Sequence, residues 1–159
     1  MTPGKKYGRL LILGLVAAAG IFSLFFHMYR KDIRALEDFV AAYRRFDMIM
    51  ATHPEGGRPS TRDEAAEAAA RLQAKASLGL SSLIRNDAEL MKLALEVADF
   101  SRQEVDALRA LDVFCSSRSQ NRDSAEAAEQ AKLEEAYEAI REKRSAAYAR
   151  FWEFSGLKD

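Results

Sequence analysis

Residues 10 to 29, LLILGLVAAAGIFSLFFHMY, run for 20 positions without a single Asp, Glu, Lys or Arg. As a helix rising 1.5 Å per residue, such a run covers roughly 30 Å, the depth of a bilayer's hydrocarbon core. Tyr7 and Tyr29 flank it, where amphipathic rings favour the headgroup level, and Lys5, Lys6, Arg9, Arg30 and Lys31 close its two ends. The competing reading is a cleaved signal peptide, with KKYGR as its basic start and the alanines at 17 to 19 as its cleavage site. Cleavage after Ala19 would leave GIFSLFFHMY as an exposed apolar terminus, so the run reads as a retained transmembrane anchor.

The run continues into YRKDIRALEDF without Gly or Pro, so one helix is expected to leave the membrane and carry on. Basic residues on its two sides are nearly balanced. A short basic tail ahead of a first apolar segment favours a cytoplasmic N-terminus and a periplasmic domain on a bacterial inner membrane. Cys115 is a lone cysteine, so an intramolecular disulfide is excluded and the compartment is left open. The chain holds 24 basic and 24 acidic residues, and three of the basic ones precede the run. The remainder is therefore mildly acidic, without the basic stripe that nucleic acid requires.

Beyond the run, three polar stretches break a helical pattern: THPEGGRPS at 52 to 60, RND at 85 to 87 and SSRSQNRDS at 116 to 124. Between them apolar residues recur every three or four positions. Leu36, Phe39, Tyr43, Phe46 and Met50 share one stripe, and Ala65, Ala69, Leu72, Ala76, Leu80 and Leu83 share a second. A third holds Leu90, Leu93, Val97, Phe100, Leu108 and Leu111, and a fourth Leu133, Tyr137, Ile140, Tyr148, Phe151 and Trp152. Asn86 with Glu89 reads as a capping box that separates the middle two helices. Without that break the second helix would run roughly 80 Å and carry its charges back into the bilayer.

The expected fold is therefore all-α. A basic tail (1 to 9) and a single N-terminal transmembrane helix (10 to 29) lead into an antiparallel up-down-up-down four-helix bundle (30 to 159). Its helices are expected at about 30 to 51, 61 to 85, 87 to 115 and 123 to 154.

Chemistry-bearing patterns are sparse. Neither histidine has zinc-ligand spacing, and no phosphate loop or nucleophile elbow occurs, so the chain is expected not to be an enzyme and to need no cofactor. Met48, Met50 and His53 form a soft ligand set that could suit Cu(I), but on a helix Met48 and Met50 lie about 200° apart. In the apolar run, Gly14 with Ala18 and Ala19 with Ser23 form small-xxx-small pairs that allow close helix approach. Trp152, in the YARFWEF end, either closes the bundle core or joins Tyr7 and Tyr29 at the membrane interface.

The layout across residues 10 to 154 resembles the sensor modules of bacterial chemoreceptors, and equally the anchored helical layout of phage inner-membrane lysis proteins. The former implies a second membrane helix, which this sequence does not contain, and no ligand residue carries over. Because the inner stripes read as almost wholly apolar, the expectation is a non-enzymatic, single-pass scaffold or interaction subunit of the cell envelope. Its partners would be the lipid bilayer and envelope proteins or further copies of itself, not nucleic acid. The alternative is a sensor-like bundle that binds a small ligand or a metal ion.

Overall fold

A computed structural model describes residues 4–52, 59–80, 87–116 and 124–157. All four principal elements are helices: α1 (Gly4–Ala51), α2 (Pro59–Ala74) extended by a π-helical turn (Lys75–Gly79), α3 (Ala88–Ser116) and α4 (Ser124–Ser155). No strand occurs among the described residues.

The first helix runs unbroken for 48 residues. Its glycines all lie at or before Gly20, and nothing from Ile21 to Ala51 interrupts the backbone hydrogen-bond ladder. From Gly14 to His27 every side chain is exposed, with Phe22 at 74% and Phe25 at 67%. Coverage begins at Met28, Asp32 and Ile33, which are half-buried, and is complete at Leu36. Among the described residues no helix is long and apolar enough to cross a membrane. Leu10, Leu11, Ile12 and Leu13 of the apolar run, and Tyr7 before it, belong to the part of α1 whose side chains lie outside the description.

Local chemistry sets the other boundaries. Pro59 opens α2, a position where its missing N–H leaves nothing unpaired, so the helix starts slightly ahead of the expected position 61. In the π-helical turn the Ser77 hydroxyl donates back to the Gln73 carbonyl at 2.9 Å. Asp87 caps α3: its Oδ1 accepts from the Leu90 N–H at 3.4 Å. Asn86 lies outside the described residues. At the far end Gly156 has φ 68°, the left-handed conformation that stops a helix, and Leu157 folds back onto the core.

Two packed layers fix the topology. In the layer near the exposed part of α1, Phe39 and Tyr43 meet Leu72 and Ala76 of the second helix and its extension, Leu93 and Val97 of α3, and Phe151 of α4. In the far layer Phe46 and Met50 meet Ala65 and Ala69 of α2 and Val105 of α3, with Tyr137 of α4 against them. Residue numbers rise between layers on α1 and α3 and fall on α2 and α4, so the bundle is up-down-up-down. Phe39, Phe46 and Phe151 are fully buried, and each contributes ~1.5–3 kcal/mol by leaving water. Aromatic rings bridge α1 to α4: Phe39 lies 4.6 Å from Phe151, and Tyr43 stacks on Tyr148 at 3.6 Å.

Candidate functional site

Between the two layers the bundle contains ions. Arg144 of α4 is 2% exposed and Glu104 of α3 is 0% exposed. Each occupies a core position of its helix. Glu104 is seven residues after Val97 and four before Leu108, while Arg144 is four after Ile140 and seven before Phe151, so helical geometry turns both inward.

Arg144 joins three helices through its guanidinium. Its Nε donates to Glu104 Oε2 at 2.5 Å on α3. Its Nη1 donates to the Tyr43 hydroxyl at 2.7 Å and to Asp47 Oδ1 at 2.9 Å, both on α1. The charge also lies 5.3 Å from the centroids of the Tyr43 and Phe46 rings, whose faces attract a cation. The planar fork of arginine supplies these directed donors at once, which the point charge of lysine could not. Asp47 is 54% exposed at the rim of the cluster. Glu104 Oε1 is buried and has no hydrogen-bond partner among the described residues.

Burial pushes the Glu104 carboxyl above its ordinary value, although the Arg144 guanidinium beside it pulls the other way. Tyr43 is pushed up to about 12, mainly by burial and against the pull of Arg144. Tyr137, half-buried near Glu104, is likewise pushed up to about 12. Burial alone would lower Arg144, but Glu104, Tyr43 and Asp47 outweigh it and hold the guanidinium charged. A second pair, Arg62 of α2 with Asp112 of α3, closes the far end of the bundle, and Asp112 is 7% exposed. By contrast Lys75 with Asp38 (2.6 Å) and Arg150 with Glu96 (3.1 Å) are surface pairs that contribute little.

The expectation that the inner stripes are almost wholly apolar is thus corrected at Glu104, Arg144 and Asp112. Counting apolar residues alone leaves these positions out. The usable signal was an ionisable residue standing at a core step of two successive helical stripes with opposite charge.

Residues singled out from the sequence are placed as follows. Met50 is buried in the core and Met48 is 61% exposed, while His53 lies outside the described residues. Among the described residues no group of three or more His, Cys, Asp or Glu is placed to hold a metal ion. Gly14, Ala18, Ala19 and Ser23 are exposed on the uncovered part of α1. Tyr29 is 64% exposed at the end of that segment. Trp152 is half-buried against the core, 5.8 Å from the Arg44 guanidinium and 6.3 Å from the Tyr148 ring. Cys115 is exposed near the end of α3. No protein-family model, curated protein or solved structure matches the chain.

Proposed function

We propose that this chain is a non-enzymatic, single-pass membrane protein whose helical bundle serves as a scaffold or interaction subunit of the cell envelope. One observation carries the reading: α1 passes from an apolar segment with every described side chain exposed directly into the bundle, with no joint between them. Water tolerates a contiguous exposed row of Leu15, Val16, Ile21, Phe22, Leu24, Phe25 and Phe26 poorly, and hydrocarbon accommodates it. With Leu10 to Tyr29 in a bilayer, the bundle would sit on the membrane with a fixed offset from its neighbours. The basic N-terminal tail favours a cytoplasmic start and a periplasmic bundle on a bacterial inner membrane. Partners are then envelope proteins or further copies of the chain.

A second reading, a sensor-like bundle that binds a small ligand or ion, is favoured by the ionisable groups at the core. Alkaline phosphatase and a fluorescent protein, each fused after Asp159, test the first. Phosphatase activity in the alkali-resistant membrane fraction, with a dark fluorescent fusion, is expected. A chain released by alkaline carbonate overturns the anchor, and a fluorescent fusion without phosphatase activity overturns the orientation. Chemical cross-linking in membranes then tests the scaffold role: only a chain that shows no adducts, either to other proteins or to itself, would sink it.

A further inference from the structure

We propose that Glu104, Arg144 and Asp47 form a proton-binding centre in which uptake of one proton on Glu104 releases Arg144 from α3 while leaving it tied to α1. Three features of the geometry carry this. First, two carboxylates share one guanidinium: Arg144 Nε holds Glu104 at 2.5 Å and Nη1 holds Asp47 at 2.9 Å. Second, the two carboxylates differ in environment. Asp47 is 54% exposed and open to water, whereas Glu104 is fully buried and its Oε1 meets no donor among the described residues. A charged oxygen without a donor in a dry interior is costly, and a proton placed there removes the charge. Third, Arg144 does not become an orphan when Glu104 is neutral, because Asp47 and the Tyr43 hydroxyl still accept from Nη1.

The groups around Glu104 come from three helices and act in opposite directions. From α1 come Tyr43 and Asp47, and from α4 come Arg144, Arg141 and Tyr137. α2 turns Ala65, Ala68 and Ala69 toward this layer. Burial and Asp47 favour the neutral acid, Arg144 and Arg141 favour the carboxylate, and burial prevails. The step balances simply: a proton from water bonds to Oε1, the carboxyl loses its charge, and Arg144 keeps its own proton. The protein as a whole gains one positive charge. A contact from Nε to a neutral acid is weaker than the one Nη1 keeps with the charged Asp47, so Arg144 gives it up, and at this level α4 is then held to α3 by apolar packing alone.

Trp152, the chain's single tryptophan, lies two turns along α4 from Arg144 and reports on that helix. The test uses the full chain in lipid nanodiscs, with glutamate carboxyl carbons labelled for NMR and Trp152 emission recorded across the same pH series. One carboxyl resonance, assigned through bonds to residue 104, is expected to titrate with a midpoint above the ordinary 4.5, and Trp152 emission should change with that midpoint. E104Q should fix the emission at its low-pH form across the series, while E142Q, at an exposed position on α4, should keep the wild-type curve. A residue 104 midpoint at or below 4.5 overturns the proton site. An emission change that survives in E104Q, or no change at the residue 104 midpoint, overturns the release of α4. Should E104Q fail to fold, the wild-type resonance and emission still decide both points.

Discussion

At Gly156 the backbone turns left-handed, with φ 68°, and a Cβ added there would meet nothing within 4 Å. Gly156→Ala therefore isolates a conformational penalty, and urea unfolding should show a loss of about 1 kcal/mol, less for Gly156→Asn. Glu104 gives a pH dependence of definite sign. Its carboxyl is raised above 4.5 in the folded chain, so the fold binds this proton more tightly than the unfolded chain does. The stability it contributes is present below 4.5 and disappears as pH climbs through the raised value. Gln cannot titrate, so E104Q should gain stability relative to the wild type between about pH 4 and the neutral range, read from paired urea curves. A difference that stays flat across that range would contradict the raised carboxyl.

Among the elements, α3 and α4 are joined by a buried ion pair, and such pairs are lost asymmetrically. Removing one partner strands a charge in the core, so Arg144→Met should cost about 3–5 kcal/mol. Removing both, with Glu104→Leu added, should recover most of that loss, and a double-mutant cycle by thermal or urea unfolding measures the coupling. The four helices themselves were legible because Leu36, Phe39, Tyr43 and Phe46 repeat at the period of a helix, as do Leu90, Leu93 and Val97. Polar loops marked their ends. The π-helical turn at Lys75–Gly79 left no such mark, since neither Pro nor an unusual spacing announces it. Glu104 and Arg144 were missed for a different reason: charge normally argues for the surface, and only pairing across two helices makes a charged core position tolerable. Predicted site residues fared by the same physics, since Met48 and Met50, two positions apart, were bound to diverge on an intact helix.

For the molecule as a whole, the proposed anchor and the bundle share α1, and every side chain from Gly14 to His27 is exposed. Their energetics should separate. Replacing Leu15 and Leu24, 64% and 61% exposed, with Arg should impose roughly 2.5–3.5 kcal/mol per residue on membrane insertion. The same pair of changes should leave the melting of the bundle within about 0.5 kcal/mol of wild type. Membrane flotation and circular dichroism of one preparation check both halves, and co-operative loss of the bundle would show that the two parts are not independent. The unbroken α1 also has a rotational consequence. Each residue of an α-helix turns its successor by about 100°, so adding or deleting a single residue in the apolar run would swing the bundle to present a different side to whatever stands beside it. The length of that run then works as a compass setting, and a change of one residue, silent in folding assays, would be felt as a partner facing the wrong helices.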